Sequence, residues 1–190
     1  MPMTNRLPAI PFYFVRHGET DWNLAGRMQG RTDIPLNDTG RAQAQNAAAR
    51  LARVSIETIC VSPLDRAMDT ARIINETLRV PIEVVPDLQE VGCGENEGMT
   101  KGQWYADWLD GRSTPVDGES LDGFNARLMR GVTQALTKQG PILIVSHGQV
   151  FRNMTGIIGA EPDCPIANGR PMFLEPIDRG DGGWSIQVIG

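Results

Sequence analysis

The chain has 190 residues, 41% hydrophobic and 22% charged, with a formal net charge of −5. This suits one globular domain over residues 1–190 and argues against a basic, nonspecific nucleic-acid binder. No apolar run is long enough to span a bilayer, the N-terminus lacks the apolar core of a secretory signal, and Cys60, Cys93 and Cys164 are odd in number and widely spaced, so a cytoplasmic protein with reduced thiols is expected.

In chain order, F-Y-F-V (12–15) reads as a strand ending at Arg16, His17 and Gly18. Residues 39–53 are rich in helix formers, with Asn37, Asp38 or Thr39 as the cap. T-I-C-V (58–61) is a second strand, followed by a helix over 64–78 with Ala67, Ala71, Ile74 and Leu78 on one face. I-E-V-V (82–85) is a third strand, and Glu90 follows it across a short link. Residues 92–118 have many glycines, two tryptophans and little periodicity. They are expected to form a loop-rich excursion with a short helix at 104–109, of the kind that often shapes a site. A long helix over 119–138, a fourth strand I-L-I-V (142–145) and a shorter helix over 148–158 complete the pattern. Strands without alternation are covered on both faces, which predicts an α/β three-layer sandwich with a mostly parallel sheet.

In open α/β sheets, ligands bind beyond the carboxyl ends of parallel strands. Arg16 and His17, Arg66, Glu90 and His147 all lie just past such ends. The two histidines are the only ones in the chain, and each stands before a glycine. Singly, each is more often a structural residue; together they are hard to explain that way. Two histidines flanked by two arginines make a poor cation site but suit a phosphoryl group, whose oxygens accept guanidinium hydrogen bonds.

R-H-G-E-T-D-W-N (16–23) resembles the signature of the histidine phosphatase superfamily, the phosphoglycerate mutase-like proteins. The resemblance continues in order through G-R-M-Q-G-R-T-D-I-P-L-N-D-T-G (26–40), S-P-L-D-R-A-M-D-T-A (62–71), L-Q-E-V-G-C-G-E-N-E-G (88–98), P-V-D-G-E-S (115–120) and V-S-H-G (145–148). It implies that His17 is the phosphoryl-accepting nucleophile, that Arg16, Arg66 and His147 hold the phosphoryl oxygens, and that Glu90 is the general acid. Asn23, Gln29 and Gly30 match substrate-contacting positions. No metal or organic cofactor is implied. The chemistry is consistent with these roles: a neutral imidazole attacks phosphorus, and cations rather than Mg²⁺ hold the charge. Gly18 and Gly148 leave room for backbone beside the phosphate, and a helix starting at Gly148 and Gln149 adds N–H donors.

The expected activity is hydrolysis of a small phosphorylated metabolite, without nucleic-acid or membrane partners; a homodimer is compatible with it. A cofactor-dependent mutase is the alternative. Lys101 matches a mutase lysine, but Cys93 stands where mutases have a tyrosine, and the stretch from Gly102 to Gly118 contains only Arg112 instead of an arginine pair. A noncatalytic phospho-ligand binder is the third reading, disfavoured because both histidines and the acid are present. Glu95 and Glu97 rank below Glu90 as candidate acids. Trp104, Tyr105 and Trp108 are expected to form the excursion's own small core rather than a stacking platform.

Overall fold

The computed structural model describes residues 7–160, 166–177 and 183–190. Cys164 lies outside the described residues, as does the start of the N-terminal segment. Among the described residues six strands form one sheet: β1 (Phe12–Arg16), β2 (Thr58–Val61), β3 (Ile82–Val84), β4 (Ile142–Ser146), β5 (Pro171–Pro176) and β6 (Trp184–Val188). Their order is β3-β2-β4-β1-β5-β6. The first four in that order are parallel, and β5 and β6 extend the sheet antiparallel.

The strand sequences explain the layers. Phe12 and Phe14 of β1, Cys60 of β2 and Ile142 and Ile144 of β4 face one side, as period-two alternation requires. There they meet α5 (Leu121–Leu136), through Phe124, Leu128, Val132 and Ala135, and α6 (Gly148–Ile157), through Val150, Phe151 and Met154. Val15, Ile59, Val61, Leu143 and Val145 face the other side. They pack on α2 (Asp38–Leu51) through Ala47, Ala48 and Leu51, and on α3 (Asp65–Leu78) through Ala67, Ala71 and Ile74. The result is the expected α/β/α sandwich. Asn37 caps α2 by accepting from the Gly40 N–H at 2.8 Å, and Ser120 caps α5 through the Gly123 N–H at 3.1 Å. Leu78 is only partly buried.

The stretch 92–118 contains a 3₁₀ turn at Gly94–Asn96 and the helix α4 (Gln103–Leu109). Tyr105 and Trp108 stack at 6.3 Å and join the core beneath α5, while Trp104 is only partly buried. The Trp108 indole N–H donates to the Glu119 carbonyl at 2.7 Å, which fixes the end of this stretch. A four-residue helix, α1 (Asp21–Leu24), starts just after the signature glycine, with Thr20 and Asn23 forming a capping box. Cys60 and Cys93 are free and buried, and burial pushes their thiols up to about 11 and about 12. Among the described residues, no helix is long and apolar enough to cross a membrane.

Candidate active site

The carboxyl ends of β1, β2 and β4 open into a pocket of about 580 Å³. Arg16, His17, Asn23, Gln29, Gly30, Arg66, Glu90, Gly148 and Gln149 all line it. His147 packs against His17, ring centroids 5.2 Å apart and the planes tilted by 58°. Every site residue expected from the sequence is therefore at this one place.

Strand pairing brings the two histidines together. The His17 N–H donates to the Ser146 carbonyl at 2.9 Å, carrying the β1–β4 ladder one residue past the end of β1. The His17 Nδ1–H donates to the Gly18 carbonyl at 2.7 Å, which leaves the lone pair on Nε2. Ser62 fixes the other ring. Its Oγ lies 2.7 Å from His147 Nε2 and also accepts the Leu64 N–H at 3.3 Å; among the described residues Nε2 is the acceptor available to the Ser62 hydroxyl proton, so we assign that proton to Nε2 and the proton of the neutral ring to Nδ1. Both imidazoles are held neutral, well below the usual histidine range. For His17 the causes are burial, then the charges of Arg66 and Arg16; for His147 they are burial, then Arg66, His17 and Arg16.

Arg66 is 0% exposed, in the first turn of α3. It donates to the Gly30 carbonyl at 2.7 Å and the Thr32 carbonyl at 2.9 Å, and pairs with Asp33 at 3.5 Å. The 29–33 loop is in turn pinned by Glu97, whose carboxylate accepts the N–H groups of Arg31 and Thr32, the Thr32 hydroxyl and the Cys93 N–H. Glu97 is thus fully engaged as a loop anchor, and Gly30 is glycine for two reasons. Its φ is +55°, and a Cβ would meet the Glu97 carboxylate at 2.2 Å. Arg16 reaches the Ile166 carbonyl at 3.2 Å, and a Cβ on Gly148 would stand 3.3 Å from its Nε.

Glu90 is 9% exposed. Its two carboxylate oxygens accept the Val91 N–H and the Gln149 N–H, each at 3.0 Å, so the start of α6 holds it against the pocket wall. The Gln149 side chain is occupied by the Tyr105 hydroxyl at 2.7 Å and by Asn153 at 2.6 Å. Asn23 Oδ1 takes donors from Thr20 and Asn168, and Asn168 also donates to the His17 carbonyl at 2.8 Å.

Four buried side-chain atoms lack a hydrogen-bond partner among the described residues: Arg16 Nε, Arg66 Nε, His147 Nδ1 and Gln29 Oε1. All four belong to this site. Three of them are donors on Arg66, Arg16 and His147, whose charges or ring bear directly on His17, and a buried donor without an acceptor costs about 1–3 kcal/mol. An anion with several oxygens would satisfy all three.

Sequence reasoning missed the outer wall, where Arg27, Met28, Tyr105, Phe151, Arg152, Thr155 and Ile166 also line the pocket. Arg27 stands within the 26–40 block but drew no role from it, and Arg152 lies outside the matched V-S-H-G block. Arg152 was nevertheless readable as four residues after Gly148, hence on the same helix face. Burial, then the charges of Arg152 and Arg16, hold the Lys101 ammonium below its usual value. The pocket therefore holds more cations than the missing arginine pair suggests.

The profile of the histidine phosphatase superfamily (branch 1) matches residues 12–185. Uncharacterized phosphatase PhoE of Bacillus subtilis (strain 168) is 38% identical over 177 residues, 91% of this chain and 90% of that protein. Phosphoglycerate mutase-like protein 4 of Arabidopsis thaliana is 35% identical over 158 residues, 74% of this chain and 67% of that one. Among solved structures, the alpha-ribazole phosphatase of Shigella flexneri superposes with a TM-score of 0.78 at 26% identity, covering 95% of this chain and 96% of its own. With the profile spanning nearly the whole sheet and its helices, the chain belongs to branch 1 of the histidine phosphatase superfamily.

Proposed function

We propose that the protein is a metal-independent phosphomonoesterase acting on a small phosphorylated metabolite through a phosphohistidine at His17. The observation that carries this reading is the trio of partnerless buried donors, Arg16 Nε, Arg66 Nε and His147 Nδ1, around a neutral imidazole with a free Nε2. In the first step, Nε2 attacks phosphorus in line, the P–O bond to the alcohol breaks, and Glu90 gives its proton to the departing oxygen. The three donors hold the equatorial oxygens as charge develops on them. In the second step, Glu90, now ionised, takes a proton from water. The resulting hydroxide attacks phosphorus, and the P–N bond breaks to release phosphate and restore His17.

A mutase is the second reading, because Lys101, Arg27 and Arg152 add cations at the mouth of the same pocket. Against it stands Cys93, which is buried beside Val91, Tyr105 and Trp108 and offers no hydroxyl to a substrate. The test is phosphate release by purified protein from p-nitrophenyl phosphate and a panel of phosphorylated metabolites. It is run beside an assay with 3-phosphoglycerate and 2,3-bisphosphoglycerate. Free phosphate is expected; accumulation of 2-phosphoglycerate would favour the mutase, and no turnover of any ester would leave only a phospho-ligand binder.

A further inference from the structure

Arg127 lies on the buried face of α5, between Phe124 and Leu128, where the helix period calls for an apolar residue. It is 7% exposed, and all five of its guanidinium N–H donors are used. Nε donates to Glu119 Oε1 at 2.8 Å and Nη2 to Glu119 Oε2 at 2.7 Å, a bidentate pair. Nη1 donates to the carbonyls of Asp87 and Gln89, both at 2.9 Å, and Nη2 to the carbonyl of Glu90 at 3.2 Å. Glu119 completes the grip from the other side. Its N–H donates to the Gly92 carbonyl at 2.8 Å, and its carboxylate accepts the Gly92 N–H at 3.4 Å and Arg31 at 3.3 Å. A Cβ on Gly131 would stand 2.8 Å from the Asp87 backbone, so α5 also presses directly on the start of this segment.

We propose that Arg127, with Glu119, is a positioning residue for the general acid: it fixes the backbone of residues 87–92 so that the Glu90 carboxyl meets the leaving-group oxygen. This rests on the reading of Glu90 as the acid. Arg127 makes no hydrogen bond to His17 or to the partnerless donors; its charge bears on His147, and Arg127→Lys keeps that charge, so what the lysine variant removes is the grip on the acid's backbone rather than the phosphoryl pocket. A lysine keeps one charge but is a single point donor that cannot span five acceptors.

The test compares Arg127→Lys, Glu119→Gln and Glu90→Gln on an alkyl phosphate and on p-nitrophenyl phosphate, with folding checked by circular dichroism and vanadate inhibition as the probe of the phosphoryl pocket. General acid catalysis is worth about 10²–10⁴-fold and matters most when the leaving group is poor. The expected result is a loss of about tenfold or more on the alkyl phosphate for Arg127→Lys. The loss on p-nitrophenyl phosphate should be only slight, and vanadate inhibition unchanged. Adding Glu90→Gln to Arg127→Lys should cost less than the two losses multiplied, because both act through one proton. If Glu90→Gln shows the leaving-group asymmetry and the Arg127 and Glu119 variants lose equally on both substrates, the positioning role is overturned while the acid stands. If Glu90→Gln itself shows no asymmetry, the acid assignment falls, and the proposal with it. Where Arg127→Lys does not fold, Glu119→Gln decides by the same readout.

Discussion

An imidazole flanked by two guanidinium groups and almost wholly buried keeps its nucleophilic lone pair where a free histidine would lose it. His17 and His147 both titrate below the usual range, chiefly because burial disfavours their charged forms. In the unfolded chain they titrate near 6.5. Between that value and the lower folded one, the unfolded chain binds more protons, so the two groups favour folding fully above pH 6.5. That contribution is lost as the pH falls toward the folded pKa. The urea midpoint should therefore drop between pH 7.5 and pH 5.5, above most carboxylate titration, and drop less in His147→Gln. An equal drop in both would place the acid sensitivity elsewhere. At the same site, His17→Ala should abolish turnover and phosphoenzyme formation with the fold intact. The wild-type phosphoenzyme should be labile in acid and survive alkali; the reverse would point to a carboxyl or hydroxyl acceptor.

At the level of elements, the loop after β1 lies directly on the first turn of α2. A Cβ on Gly40 would meet the Glu19 carbonyl oxygen at 2.1 Å, and one on Gly18 would meet the Gly40 carbonyl oxygen at 2.3 Å. Neither backbone can yield without moving the loop that carries His17. Gly40→Ala should cost about 1–3 kcal/mol and lower kcat as well. Gly156, in α6 with nothing within 4 Å of its Cβ position, is the contrasting case: Gly156→Ala should gain roughly 0.4–1 kcal/mol with activity unchanged. Urea titration of the two variants separates close packing from helix entropy. The same contrast explains what the sequence could reveal. β1, β2 and β4 were legible because unbroken apolar runs between helix-period stretches have few other readings, and β3 because I-E-V-V is rich in β-branched residues despite Glu83. β5 and β6 were not: P-M-F-L-E-P carries proline at both ends, which demotes it as a strand, and W-S-I-Q-V is short and mostly half-exposed. Arg16, His17, Arg66, Glu90 and His147 were legible from their places past strand ends. Asn168 was not, since its role comes from contact with a residue 151 positions away. Arg127 did leave a trace, a charge in the apolar stripe of α5, but only its contacts show what that charge does.

For the molecule as a whole, the net charge is −5, while Arg27, Lys101 and Arg152 gather at the pocket mouth, each exposed in part to solvent. Such a local patch steers an anionic substrate despite the opposing global charge, and salt screens it with a Debye length of about 10 Å at 0.1 M. The kcat/KM should fall several-fold as ionic strength rises from about 20 mM to about 300 mM, and Arg152→Ala should flatten that dependence. A salt-independent rate would mean that the outer cations take no part in capture. The strand order has a consequence for synthesis. β4 lies between β1 and β2, yet it is made last of the three. A ribosome that has delivered both earlier strands has already made His17 and Arg66 but not the strand that joins them, and any pairing of β1 with β2 blocks its place. Domains assemble as units during translation, and here the unit cannot close before Ser146 emerges. A premature stop just ahead of that codon yields a polypeptide with one histidine, a β1 parted from β2 and no cradle for phosphate.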